Sequence, residues 1–102
     1  MRVITRKRLR EFAQKYSDAA EPLKKWYRIV REAEWENLQD VRRVYPHADR
    51  VKVGSGNSVT VFNICGNKYR LLATIHYNRQ RVYVLALLRH AEYSKGFWKD
   101  RL

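Results

Sequence analysis

Acidic side chains are missing from a long stretch of this sequence: no Asp or Glu occurs between Asp49 and Glu92. Arg50, Lys52, Lys68, Arg70, Arg79, Arg81 and Arg89 all fall inside it. The acids concentrate instead in the first half, at Glu11, Asp18, Glu21, Glu32, Glu34, Glu36 and Asp40. The second half is therefore electropositive, in a chain with 22 Lys+Arg against 10 Asp+Glu and a formal net charge of +12. Charge this lopsided points to a polyanionic partner, above all nucleic acid. The segregation argues against charge serving solubility alone.

Other shortages narrow the class further. The single cysteine, Cys65, excludes an intramolecular disulfide and suits a reducing cytoplasm. No apolar run approaches the roughly 20 residues of a membrane-spanning helix, so no membrane partner is expected. The basic start, Met1 to Arg8, leads into no apolar stretch, and no secretory signal is expected. His47, His76 and His90 are scattered, with no Cys or His pair at ligand spacing, so no metal is expected. Gly54-Ser55-Gly56 neither opens a helix nor precedes Gly-Lys-Ser/Thr, which removes the phosphate loop. No Gly-x-Ser-x-Gly is present to support a serine nucleophile. No cofactor is expected. A length of 102 residues fits one domain spanning 1–102, able to bury roughly 60% of its unfolded surface without covalent staples.

What is present divides into a helical half and a strand half. Val3-Ile4 reads as an extended lead-in or a small edge strand. Thr5 can cap a helix from Arg6 to about Tyr16, on which Leu9, Phe12, Ala13 and Tyr16 form one apolar stripe. Asp18-Ala19-Ala20-Glu21 resembles a capping box, with Pro22 tolerated in a first turn. Leu23, Trp26, Tyr27, Val30 and Ala33 carry a second helix from about Ala19 to Glu34, and Trp26 and Tyr27 are expected to anchor the core. Two such helices with a short joint suggest a helical hairpin. Asn37 can cap a short helix through Val44, which Pro46 stops.

From Asp49 the apolar period changes from 3.6 to 2. Arg50 to Val53 reads as an edge strand and Ser58 to Ile64 as a second strand. Lys68 to Tyr77 follows, with Tyr69, Leu71, Ala73, Ile75 and Tyr77 on one face and Lys68, Arg70, Leu72, Thr74 and His76 on the other. Arg81 to Arg89 is apolar on both faces between Val82 and Leu88, which suits a central strand. Ala91 to Leu102 is expected to form a helical turn that Phe97 and Trp98 pack down. The fold class is α+β: an N-terminal helical hairpin on one face of a small antiparallel sheet, with a short C-terminal helix. The other face is expected to be basic and open.

Chemistry concentrates where the last strand ends, at His90, Glu92, Tyr93 and Lys95. Cleaving an RNA backbone requires a base for the ribose 2′-OH proton, an acid for the departing 5′-oxygen and cations for the crowded phosphate. Imidazole suits proton transfer near neutrality, and a cationic surround is expected to lower the pKa of a neighbouring Tyr. On spacing alone, a His at a strand end is more often structural than catalytic.

The segments Phe62-Asn63-x-x-Gly66-Asn67-x-x-Arg70 and His90-x-Glu92-Tyr93-x-Lys95 resemble the HigB-type branch of the RelE-like toxins. Arg2 to Lys7, Leu9 to Phe12 and Pro22 to Tyr27 match it as well. The resemblance implies a toxin of a type II toxin–antitoxin pair that cleaves mRNA on the translating ribosome. Its partner would be a cognate DNA-binding, helix-turn-helix antitoxin of the HigA-like kind. It implies His90, Tyr93 and Lys95 as catalytic residues, and metal-independent transesterification through a 2′,3′-cyclic phosphate. Lys68, Arg70, His76 and Arg89 are the RNA-binding candidates. Arg89, Ser94 and Cys65 stand where Thr, Asp and Lys are common in that family. A non-enzymatic RNA- or ribosome-binding module is the competing reading. An antitoxin-like transcriptional regulator would need a helix-turn-helix that the sequence does not show.

Overall fold

The alternation that begins at Asp49 produces four strands: β2 (Asp49–Lys52), β3 (Ser58–Ile64), β4 (Tyr69–His76) and β5 (Arg81–Arg89). Each runs antiparallel to the next in the computed structural model, which describes residues 1–102. A further strand, β1 (Arg2–Ile4), pairs parallel with Arg81–Tyr83 of β5, giving the spatial order β1-β5-β4-β3-β2. The two longest strands therefore lie inside the sheet, where their apolar side chains are covered. Val3-Ile4 does form the small edge strand.

Three helices cover one face. In α1 (Arg6–Lys15), the Thr5 hydroxyl accepts from the Arg8 backbone N–H at 3.4 Å, the cap expected of it. A 3₁₀ turn at Ser17–Ala19 leads into α2 (Ala20–Glu32). The Asn37 side chain caps α3 (Leu38–Val44) by accepting from Asp40 N–H at 2.9 Å. Leu9, Leu23, Trp26, Val30 and Val41 pack from these helices onto Phe62, Leu71, Ala73, Val82, Val84 and Leu87 of the sheet. Phe62 is fully buried beneath Trp26 (5.4 Å between rings), Tyr45 (5.3 Å) and Trp35 (6.4 Å). The edge-on contacts of Trp26 and Tyr45 suit the ring quadrupoles.

Several expectations change in detail. The capping box at Asp18 does not form: α2 starts after Ala19 without a side-chain cap, because the Asp18 carboxylate accepts from Lys68 and Tyr69 instead. Lys68 lies in the turn before β4 rather than in the strand. The C-terminal segment is two short helices, α4 (His90–Lys95) and α5 (Trp98–Arg101), and of its two aromatics only Trp98 is buried. Phe97 is 68% exposed. Nor is the second sheet face open throughout. Val59 and Val61 of β3 and Leu72 of β4 make a small apolar cluster there with Val53, sealed by Trp98 with Tyr93 and Leu102 at its margin.

Strand β5 also departs from plain alternation. Leu72 faces Ala86 while Ala73 faces Val84, so Leu85 is an extra residue. Its insertion switches the strand's parity, and Val82, Val84 and Leu87 all reach the helical core. Beyond β1 the Arg8 guanidinium donates to the carbonyls of Val84 (3.0 Å) and Leu85 (3.2 Å), closing the bulged edge.

Trp98→Ala should cost about 3 kcal/mol in urea unfolding, whereas Phe97→Ala should stay within about 0.5 kcal/mol. Equal losses would contradict the assignment of Trp98 as the seal of the second cluster.

Candidate active site

The register of β4 on β5 places Tyr69 opposite Arg89, so the chain leaves β5 beside the turn that opens β4. That turn, Cys65–Lys68, passes through left-handed backbone at Cys65 (φ 56°) and Gly66 (φ 64°) and brings Lys68 N–H to the Cys65 carbonyl at 3.2 Å. His90, the first residue of α4, donates its backbone N–H to the Lys68 carbonyl at 3.0 Å. A main-chain bond thus fixes where α4 begins.

Arg70 then organises the side chains. Its Nη1 donates to the carbonyls of Asn67 (3.0 Å) and Tyr69 (3.3 Å), which holds the guanidinium flat against the strand end. Nη2 stands 3.4 Å from His90 Nδ1. A guanidinium N–H can only donate, so Nδ1 accepts and Nε2 carries the imidazole proton. The same guanidinium lies 5.6 Å above the Tyr93 ring. At 3.6 residues per turn, Tyr93 falls about 60° round α4 from His90, close enough for both to face Arg70. Gly96 (φ 76°) ends α4 and turns the chain back, so that Trp98 stacks on Tyr93 at 5.3 Å and donates Nε1–H to the Tyr93 carbonyl at 3.0 Å. Arg70, His90 and Tyr93 are the constellation that the fold assembles.

The other candidates stand differently. Lys68 is at the same end, but its ammonium is paired with Asp18 from the α1–α2 joint. Arg89 is bonded to Glu92 at 3.0 Å, and Glu92 also accepts the Arg89 backbone N–H at 3.2 Å. Lys95 is exposed in the last turn of α4, about 140° round the helix from His90. His76 is at the opposite end of β4, roughly 23 Å from Tyr69 by strand rise, with its ring edge-on to Tyr83 at 5.1 Å. Two participants were not found by reading the sequence: Asp18, whose surroundings read as a helix cap, and Trp98 as the platform beneath Tyr93.

Burial pushes the Tyr93 hydroxyl above the ordinary tyrosine range; the Asp49 charge adds to this and Arg70 opposes it. The expected lowering by a cationic surround is therefore overturned, because desolvation outweighs the one guanidinium. Lys68, and then Tyr69, hold the Asp18 carboxyl below the usual carboxylate range. The Arg89 side chain does the same to Glu92. The end of the sheet thus presents an imidazole, a phenol that keeps its proton, and several cations around a shallow, exposed surface.

The HigB toxin family, described as the RelE-like toxic component of a toxin-antitoxin system, matches residues 19–96, from the residue before α2 to the glycine after α4. This chain belongs to that family. Among similar proteins, mRNA interferase HigB of Escherichia coli O6:H1 is 30% identical over 93% of this chain and 90% of its own length. The mRNA interferase toxin HigB of Escherichia coli K12 is 27% identical over 92% of this chain and 88% of its own. The mRNA interferase HigB of Shigella flexneri stands at the same 27%. As a HigB-family toxin, this chain has an antitoxin partner and an mRNA target implied by its class. No helix is long and apolar enough to cross a membrane.

A lowered carboxyl pKa contributes stability that is complete above the unfolded value and lost as pH falls through the folded one. Thermal stability should accordingly hold down to about pH 4 and decline below it as Asp18 and Glu92 protonate. Asp18→Asn should lower stability near neutrality and make the acid decline shallower. An acid limb identical to that of the wild type would show that the Asp18 pair does not contribute.

Proposed function

We propose that this HigB-family toxin is a ribosome-dependent mRNA interferase, an endoribonuclease that cleaves by proton transfer with no metal in the step. The observation that carries this reading is Arg70 set against both His90 Nδ1 and the Tyr93 ring at the exposed end of the sheet. When a scissile phosphate arrives, the Arg70 guanidinium turns from His90 to the phosphate oxygens, a bidentate match. Its departure frees His90 Nδ1 to take the proton of the 2′-OH. The 2′-oxygen attacks phosphorus, the bond to the 5′-oxygen breaks, and that oxygen takes a proton. The products are a 2′,3′-cyclic phosphate and a 5′-hydroxyl.

Tyr93 keeps its proton at neutral pH and is the donor to the leaving oxygen or to the phosphate. Lys95 supplies an unpaired ammonium that meets the backbone farther along, and Lys68 joins when RNA displaces Asp18. Arg89 adds a phosphate contact at the same strand end when RNA displaces Glu92. His76, at the far end of β4 beyond the Trp98 cluster, meets only RNA that runs well past the cleavage point. The whole chain acts as one domain in the cytoplasm, held by a HigA-like helix-turn-helix antitoxin. Its net charge of +12 suits docking on ribosomal RNA, a contact that weakens with salt.

Induced expression should arrest growth and fragment mRNA at positions mapped by new 5′ ends. His90→Ala should remove those ends, with a rate loss on the order of 10²–10⁴. Growth arrest without new ends would instead favour a non-enzymatic RNA-binding module, and unchanged cleavage by His90→Ala would remove His90 from the chemistry. Tyr93→Phe should slow cleavage roughly tenfold or more while leaving RNA affinity intact. A loss of affinity at unchanged rate would make Tyr93 a binding residue only.

A further inference from the structure

Between them, α1 and α2 enclose a groove of about 470 Å³. The Arg6 guanidinium, near the start of α1, lies 4.8 Å over the ring of Tyr27 in the second half of α2, so the two helices run antiparallel along it. Leu9 and Ala13 line it from α1, and Leu23 and Tyr27 from α2. Its rim carries Arg6, Arg10, Lys24, Arg28 and Arg31 against one acid, Glu21. Glu21 is paired with Lys24 and Arg31 with Glu32, whereas Arg6, Arg10 and Arg28 have no acidic partner. The catalytic end uses none of these residues.

We infer that this groove is the docking site of an acidic amphipathic helix, supplied by the antitoxin. The inference rests on the toxin–antitoxin reading for the partner's identity, but the surface itself follows from shape and charge. A third helix seats its ridge between two antiparallel ones, with small residues such as Ala13 and Ala20 permitting close approach. Apolar residues spaced along one face of that helix meet the floor, and Asp or Glu on its flanks meet the arginines on both rims. RNA is the less suitable occupant. The only aromatic side chain lining the groove, Tyr27, already has Arg6 across its ring and offers no free stacking platform. At its Ala20 end the groove adjoins Asp18, which holds Lys68, so a segment continuing past Ala20 comes next to the cleavage end.

Arg10 and Arg28 are exposed, so their reversal leaves the core untouched. The test compares wild type with Arg10→Glu/Arg28→Glu, each expressed alone and with the antitoxin. Alone, both should arrest growth. With the antitoxin, the wild type should be neutralised and the double variant should escape, its affinity for purified antitoxin lowered roughly tenfold or more. Arg10→Ala/Arg28→Ala should fall between them. Neutralisation and affinity unchanged in the double variant would overturn the docking site while leaving the toxin reading intact. If the wild type arrests nothing, the toxin reading fails, and an amide-shift titration of the full chain decides the groove separately. In that titration a sixteen-residue Glu/Leu amphipathic peptide should move Arg10 and Arg28, whereas movement by an RNA oligonucleotide alone would overturn the inference.

Discussion

The pairing of β4 with β5 governs the end of the sheet that carries Arg70, His90 and Tyr93. Because Tyr69 faces Arg89, the chain emerges from β5 beside Lys68, and the His90 N–H finds the Lys68 carbonyl at 3.0 Å. The Leu85 bulge sets the phase of that pairing. Without the extra residue, either Val82 and Val84 or Leu87 would face away from the helices, since a one-residue slip exchanges the faces of a strand. With it, both halves of β5 bury their apolar side chains, and Leu88 rather than Leu87 shares the face of Arg70. A packing requirement in the middle of the sheet therefore fixes how Arg70, His90 and Tyr93 meet at its end.

Three connections then stiffen that end from different parts of the chain. Asp18, in the joint between α1 and α2, reaches Lys68 and Tyr69 and ties the helical layer to the β3–β4 turn. Trp98 stacks on Tyr93 from the other side, and Gly54 N–H donates to the Lys99 carbonyl at 2.8 Å, anchoring α5 to the β2–β3 turn. Glu92 holds Arg89 and the first turn of α4. The consequence is a division among the cations. Arg70 contacts the imidazole directly, Lys95 is unpaired, and Lys68 and Arg89 are engaged with carboxylates.

Much of this was legible in the sequence because local rules dominate locally. The caps at Thr5 and Asn37, the β3 boundaries and the inward face of β4 follow from side-chain hydrogen bonding and from period two. What escaped depends on tertiary partners. Asp18 looks like a cap because its neighbours in sequence suggest one, yet a lysine and a tyrosine from the sheet compete successfully for its carboxylate. Phe97 and Trp98 are adjacent and equally apolar, and only the turn at Gly96 decides which is buried. The bulge is invisible in a strand that is apolar on both faces. At the site, the motif brought His90, Tyr93 and Arg70 into view together, but no spacing rule indicates that His76 is at the far end of the sheet.

In the proposed reaction this strand end cuts RNA by moving protons between imidazole, ribose and a protonated phenol. The end groups of the cleaved message report on it most directly. Fragments released in cells, or from programmed ribosomes with the purified chain, should carry a 2′,3′-cyclic phosphate upstream and a 5′-hydroxyl downstream. Fragments ending in a 3′-hydroxyl and a 5′-phosphate would require an attacking water in place of the 2′-oxygen and would contradict that chemistry.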